Sequence, residues 1–261
     1  MIHFLFPADP IDHSTPDEMF SGQPAALAIR GFTTSVLPDA VLNGDRELKA
    51  IPEGSSVVYR GWMLKRDRYA ALEAAIVAAG ATAFTNTHDY LSTHHLPNWY
   101  PLLADLTPET RVCPADADIA AELRALGWGA YFVKDYVKSV KSRRGSIVRD
   151  PAEVVAVLDE LREYRGEIEG GICVRRVEEF VTESERRYFV LNSVPYSADG
   201  SPVPAIVQEC ATRIASRFFS VDVVRRRDGV ERVVEVGDGQ VSDLVGWPDE
   251  AFAAMWANST P

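Results

Sequence analysis

Four β-forming runs fall within the first 85 residues: IHFLF at 2–6, TTSVL at 33–37, SSVVYR at 55–60 and ATAFT at 81–85. Strands separated by helical stretches fold as a parallel sheet, because parallel neighbours need a long crossover and a helix is the usual one. The intervening sequence supplies candidates. RDRYAALEAAIVAAG at 66–80 predicts an Ala-rich helix closed by Gly80. Residues 17–30 predict another, with Asp17 and Glu18 in its first turn and Pro24 as a break. Further on, 86–112 read as irregular, with two short helical pieces around LPNWYPLLADL. A helix at 116–127 ends at Gly127, and GAYFVKD at 129–135 is a strand. Asp150-Pro151 starts a helix reaching about residue 164. Strands follow at 170–180 and 185–194, a short helix at 205–216 and a hairpin at 218–236. The class expected is α/β, becoming α+β in the C-terminal part.

The formal net charge is −11 and the pI near 5.0. Such a surface repels nucleic acid and anionic membranes on average, so an anionic ligand must meet a local basic patch. Residues 134–149, KDYVKSVKSRRGSIVR, provide one: Lys134, Lys138, Lys141, Arg143, Arg144 and Arg149 face only Asp135 in opposition. Lysine suits phosphate as a mobile point charge, and Gly145 permits close backbone approach. The alternative for this stretch is a solvated basic loop. No apolar run approaches the length of a membrane span. The start, MIHFLFPADP, lacks a basic flank and reads as a strand instead of a signal peptide. Cys113, Cys173 and Cys210 have neither metal-site nor redox spacing, which suits reduced, buried thiols in a cytoplasmic protein.

Asp228-Gly229 lies between two β-rich runs and signals a hairpin. A two-residue turn there sets Val224 opposite Val233 and Asp222 opposite Glu235, with the two carboxylates' Cβ atoms about 4.5–5.5 Å apart. Like charges so placed, with apolar neighbours, repel. A divalent cation relieves them, since Mg²⁺ takes carboxylate oxygens and keeps other positions for water and phosphate. Against this stand three alternatives: one side chain faces solvent, one pairs with Arg232, or a bulge changes the register. The continuation GDGQ adds Asp238 and Gln240 as further oxygen donors.

Two other places draw notice. VRRVEEFV at 174–181 is a strand followed by two acids, whose backbone could read an adenine edge and whose Glu178 or Glu179 could accept from ribose hydroxyls; an exposed acidic strand end explains it equally. Arg60 ends a strand of the first unit, where open α/β sheets face their crevice, and could clamp a carboxylate or phosphate, with Trp62 as a wall. The alternative is a surface arginine beside a core tryptophan. His88, His94 and His95 lack a zinc spacing and read as loop or supporting residues.

In order, these elements are a strand-ending lysine (YFVK, 131–134), a basic Gly-containing loop, a strand with acids (RRVEEF), the Glu185-Arg186-Arg187 strand (ERRYFV), a strand Asp (SVDVV) and a strand Glu (VVEVGDGQ). The order resembles the ATP-grasp superfamily, and within it the clade named for one arginine and two lysines. The resemblance covers about residues 86–247. It implies a Rossmann-like pre-ATP-grasp domain at 1–85 and a two-lobed ATP-grasp domain at 86–261, with a lysine-bearing lobe at 86–180 and a metal-binding lobe at 181–261. It implies ATP and Mg²⁺ as cofactors. Lys134 and one of Lys138 or Lys141 would touch the phosphates, the backbone at Arg176–Val177 adenine, and Glu178 or Glu179 ribose. Arg187 would sit near the γ-phosphate, and Asp222 and Glu235 would hold the metal. Many members carry Asn two residues after the metal-binding Glu; here that position is Gly237, and Asp238 is expected as third ligand, with Gln240 the other candidate.

The activity implied is an ADP-forming carboxylate–amine (or thiol) ligase acting through an acyl phosphate. Its partners would be a small-molecule or peptide substrate bearing a carboxylate and an amine acceptor, with nucleic acid disfavoured and no membrane partner. Three alternatives stay open: a small-molecule or nucleotide phosphotransferase, a non-catalytic ATP-binding module and, the weakest, a nucleic-acid end-modifying enzyme using the 138–149 loop.

Overall fold

The computed structural model describes residues 1–139 and 145–258. The chain divides into two compact units that are interleaved in sequence: 1–92, 187–221 and 237–261 form one, and 93–186 and 222–236 the other. The expected domains, by contrast, are consecutive segments.

In the first unit β1 (Ile2–Pro7), β2 (Thr33–Leu37), β3 (Ser56–Tyr59) and β4 (Thr82–Ala83) form a parallel sheet in the order β2-β1-β3-β4. Phe4, Leu5 and Phe6 are fully buried because the sheet is covered on both faces. Helices α1 (Gln23–Ile29), α2 (Asp39–Leu42) and α3 (Arg66–Ala78) lie between the strands in sequence. The expected 17–30 helix is broken, into a 3-10 turn at Glu18–Phe20 and α1, with Pro24 in the first turn of α1, where its missing N–H costs nothing. His3 is buried on β1, with its ring nitrogens 2.8 Å from Thr33 Oγ1 and 2.7 Å from Ser35 Oγ.

The segment expected to be irregular contains α4 (Thr87–His94), α5 (Leu96–Leu103) and a strand not anticipated, β5 (Thr110–Pro114). In the second unit β5 joins β6 (Tyr131–Asp135), β7 (Ile147–Val148) and β8 (Gly171–Arg176) in an antiparallel sheet ordered β5-β8-β6-β7. Two helices pack on it, α6 (Ile119–Leu126) and α7 (Val154–Arg165). Asp118 caps α6 by accepting from the Ala121 N–H, and Gly127 ends it at φ 63°.

A third sheet has the order β10-β9-β11-β12. It comprises β9 (Phe180–Leu191), β10 (Val194–Tyr196), β11 (Phe218–Arg226) and β12 (Glu231–Asp238), with α8 (Ala205–Arg213) between β10 and β11. The unit boundaries fall inside its three long strands. A last helix, α9 (Asp249–Asn258), was not expected. Its Phe252 and Trp256 complete the first unit's core against Phe4, Phe189 and Phe218. Cys113, Cys173 and Cys210 are free and buried. Among the described residues no helix is long and apolar enough to cross a membrane.

Candidate active site

The final hairpin turns differently from the two-residue expectation. Gly229 N–H donates to Arg226 C=O at 2.9 Å, and Arg226 N–H donates to Val230 C=O at 2.8 Å. With Gly229 at φ 93°, this is a three-residue loop whose glycine takes the left-handed position. Continued regularly, that register would set Asp222 across from Val234 and leave Glu235 on the opposite face. At the far end, however, Gly239 N–H donates to Phe218 C=O at 3.1 Å. Eight steps from Arg226 back to Phe218 thus match nine from Val230 to Gly239, so the second strand carries one extra residue. Burial locates it: Val233 and Val236 are buried, while Val234 and Glu235 between them are half-buried. An extra residue at that place would set both across from Asp222. The bulge reverses the shift made by the turn.

Lys134, on β6, is 6% exposed, and its Nζ lies 3.6 Å from Glu235 Oε1. It pairs in register with Cys173 of β8, whose thiol is pushed up to about 12 by burial. After β6 the chain bends sharply. Asp135 is fully buried, and its Oδ1 accepts the N–H groups of Val137 at 2.7 Å and Lys138 at 2.6 Å. This Asx turn sets the direction in which Lys138 leaves the strand. Lys141, like Arg143 and Arg144, lies outside the described residues.

Arg175, one strand over, was not singled out in the sequence. It is buried, donates from Nη1 to Val234 C=O and from Nη2 to Thr107 Oγ1 at 2.6 Å, and lies over the Trp99 ring at 5.9 Å. Burial pulls its pKa down to about 10, opposed most by the Glu235 charge. Thr107 in turn donates to Val233 C=O at 2.7 Å, and Val233 N–H donates to Leu106 C=O at 3.0 Å. No sequence motif marks these residues. The available signal was an arginine inside an otherwise apolar strand, GICVRR.

The residues expected at the nucleoside are engaged within the second unit. Glu178 accepts from Arg232 through both oxygens, at 2.9 and 3.0 Å, and lies 3.5 Å from Arg226. Glu179 is exposed, and its carbonyl accepts from Arg227 N–H. Arg176 N–H donates to Glu109 C=O at 2.8 Å, and Val177 N–H to Ala130 C=O at 3.3 Å.

Three other expected site residues belong to the first unit. Arg60 is fully buried. Its Nε donates to Gln23 Oε1 at 3.0 Å and its Nη1 to the carbonyls of Gly239, Gln240 and Ser242 at 2.8–3.0 Å, while its guanidinium lies 4.8 Å from the Phe252 ring centre. Nη2 has no hydrogen-bond partner among the described residues. Burial brings the Arg60 pKa down to about 10, with Asp243 and Asp238 opposing. Asp238 is also fully buried, and burial raises its pKa to about 8; its Oδ1 accepts from Gln240 N–H at 3.0 Å. Gln240 accepts at Oε1 from Tyr59 N–H at 2.9 Å, so the 238–242 loop is knitted to the end of β3. Arg187 donates from Nη1 to Asp243 C=O at 2.9 Å. Trp62 is 45% exposed and donates to Asp17 Oδ2, which makes it neither free nor a core residue.

Asp222 and Glu235 supply the hard oxygen donors that suit Mg²⁺. Among the described residues no group of three or more His, Cys, Asp and Glu side chains is arranged to hold a metal. A side chain at Gly237 would bring its Cβ within 2.9 Å of Ser242 Oγ and 3.2 Å of Ser220 Oγ, so close packing explains the missing Asn.

The fold is that of ATP-grasp enzymes. The chain superposes on the crystal structure of D-cycloserine synthetase DcsG with a TM-score of 0.64 at 16% identity, covering 99% of each chain. It superposes on a RimK domain protein ATP-grasp from Sphaerobacter thermophilus DSM 20745 with TM-score 0.64 at 20% identity, over 99% of this chain and 98% of that one. For D-alanine-D-alanine ligase from Coxiella burnetii the TM-score is 0.63 at 13% identity, over 99% and 94%. Comparison with curated proteins finds no match. Residues 125–256, just over half the chain, match the model of an ATP-grasp domain family, the third family of the clade named for one arginine and two lysines, and the protein belongs to that family.

Proposed function

We propose that the protein is an ADP-forming ATP-grasp ligase that activates a substrate carboxylate as an acyl phosphate for attack by an amine or a similar nucleophile, in a cytoplasmic setting. The observation that carries this is Lys134 Nζ, buried and 3.6 Å from Glu235, on the strand next to the one that carries Asp222. A fixed ammonium beside a carboxylate suits phosphoryl transfer, where positioning and electrostatics dominate and the protein does little covalent chemistry.

In this reading Lys134, with Lys138 and Lys141 from the basic loop, orients the phosphates and neutralises charge on the phosphoryl oxygens. Asp222 and Glu235 would hold Mg²⁺, with Asp238 as a third donor; when bound, the metal supplies Lewis-acid stabilisation of the transferring group. Arg187 is assigned to the γ-phosphate or acyl phosphate and Arg60 to the substrate's carboxylate, through the Nη2 its other bonds leave over. Adenine falls to the Arg176–Val177 segment by groups other than its two N–H donors. Ribose falls to Glu179 in preference to Glu178, whose oxygens already serve Arg232. The division into 1–85, 86–180 and 181–261 belongs to the same proposal. The substrate class is a small molecule or peptide with a carboxylate; neighbours named as D-cycloserine synthetase and D-alanine-D-alanine ligase favour an amino-acid-like one.

The test is ADP release screened against amino acids, peptides and polyamines, followed by product analysis with and without the amine. Lys134→Ala and Asp222→Asn should each lower turnover by about 100-fold or more with the fold intact. Unchanged turnover in both removes the assignment. A stable phosphorylated product without an amine would mark a phosphotransferase, and ATP binding without ADP release a non-catalytic module.

A further inference from the structure

Glu235 owes its direction to an extra residue in β12, and a bulge is a point where register could slip. Four bonds hold this one. Thr107 Oγ1 donates to Val233 C=O at 2.7 Å, Val233 N–H donates to Leu106 C=O at 3.0 Å, and Arg175 donates to Val234 C=O and to Thr107 Oγ1. Arg232, one residue earlier, donates to the carbonyls of Asp105 at 2.8 Å and Thr107 at 2.6 Å, and Glu178 holds it through both oxygens. The segment 105–107 therefore runs along β12 immediately before Glu235, tied to it by two side chains that are themselves buried: Thr107 is 0% exposed and Arg175 6%. Carbonyls fixed on either side of Val234 leave the following residue little rotational freedom.

We propose that Thr107 and Arg175 are positioning residues for the Glu235 carboxylate, a clamp on the Val233 and Val234 carbonyls that fixes the bulge and turns Glu235 toward Asp222 and Lys134. This rests on the assignment of Asp222 and Glu235 as metal ligands. Thr107 acts through the backbone of β12; Arg175 does so too, and also sets a positive charge near Glu235 that Arg175→Lys retains. Groups of this kind behind a metal-binding carboxylate typically change metal affinity by about 10–100-fold.

The experiment measures Mn²⁺ binding in the presence of ADP, by electron paramagnetic resonance and calorimetry, so that no turnover is needed. It uses the full chain as wild type, Thr107→Val, Thr107→Ser, Arg175→Lys and Glu235→Gln, with the melting temperature of each. Thr107→Val and Arg175→Lys should weaken Mn²⁺ about 10-fold or more, while Thr107→Ser, which keeps the hydroxyl, stays near wild type. A lowered melting temperature with unchanged Mn²⁺ affinity means the clamp is merely structural and overturns the inference, leaving the function intact if Glu235→Gln has lost binding. Wild type that binds no Mn²⁺, or Glu235→Gln that binds as well as wild type, overturns the metal assignment and the clamp with it. Should Thr107→Val not fold, Arg175→Lys decides by the same criterion.

Discussion

Arg60 offers the sharpest test of where the first unit keeps its polar groups. Its substitution by methionine removes donors from Gln23 Oε1 and from the carbonyls of Gly239, Gln240 and Ser242. Gln240 C=O keeps the Gly61 N–H at 3.1 Å. Three acceptors then lose a donor inside the protein, each at about 1–3 kcal/mol, and these costs overlap because the groups share one loop. Methionine recovers some apolar contact with Phe252. The sum works out at about 3–5 kcal/mol, the range for breaking a buried charged network, and a large part of the roughly 5–15 kcal/mol that holds a protein folded. Arg60→Lys keeps the charge with three donors on a narrower head and should cost about half as much. Urea unfolding followed by near-ultraviolet circular dichroism measures both. A cost below about 1 kcal/mol for Arg60→Met refutes the loop-clamp reasoning. If the KM for the carboxylate substrate then rises while stability does not, the guanidinium serves the ligand alone.

Two other outcomes are expected. The His3 imidazole is held below its ordinary value of 6.5 by burial. The unfolded chain therefore binds the extra proton first, so His3's contribution is complete above pH 6.5 and is lost as pH falls through 6.5 toward the folded-state value; a denaturation series from pH 8 to pH 5 should show this slope, reduced in His3→Gln. Gly237→Asn, which restores the amide common in the superfamily, should destabilise by about 1–3 kcal/mol because its Cβ crowds Ser242 and Ser220, and should not tighten Mn²⁺ binding.

What could be read from the sequence was what depends on local pattern. The parallel strands announced themselves as apolar runs between helices, and Gly127 and Asp150-Pro151 marked helix ends where they fall. Pro24 marks the break expected in the 17–30 stretch, which splits into a short turn at Glu18–Phe20 and the helix Gln23–Ile29. Strand β5 has five residues and ends in proline, and in α9 alanines at 251, 253, 254 and 257 blur the i, i+3, i+4 spacing of Phe252, Met255 and Trp256, so neither shows a clean contrast between faces. What depends on distant partners was not readable. The Glu178–Arg232 pair spans 54 residues, and Arg60 finds its carbonyl acceptors 179–182 residues away. The hairpin had both kinds of feature. Asp-Gly marked the turn correctly, but turn length and bulge each shift the register by one, and the pairing of Asp222 with Glu235 came from an assumption that omitted both.

That pairing also changes the case for a metal. Two carboxylates facing each other seemed to demand a cation, yet the structure already provides fixed ones: Lys134 at 3.6 Å from Glu235, and Arg175, on which Glu235 acts as the strongest opposing charge. Repulsion alone therefore does not call for Mg²⁺; the demand arises with the nucleotide. A triphosphate approaching Lys134 competes with Glu235 for the same ammonium, and every bond it wins leaves a carboxylate beside new negative charge. A divalent ion between carboxylates and phosphate removes that penalty, so metal and nucleotide should bind with positive coupling, each tightening the other by the same factor. Glu235→Gln should weaken this coupling and, by freeing Lys134 from its carboxylate, tighten metal-free ADP. Calorimetry of ADP with and without Mn²⁺ measures both effects. If the variant binds metal-free ADP more weakly than wild type, the Lys134–Glu235 pair is not in competition with phosphate.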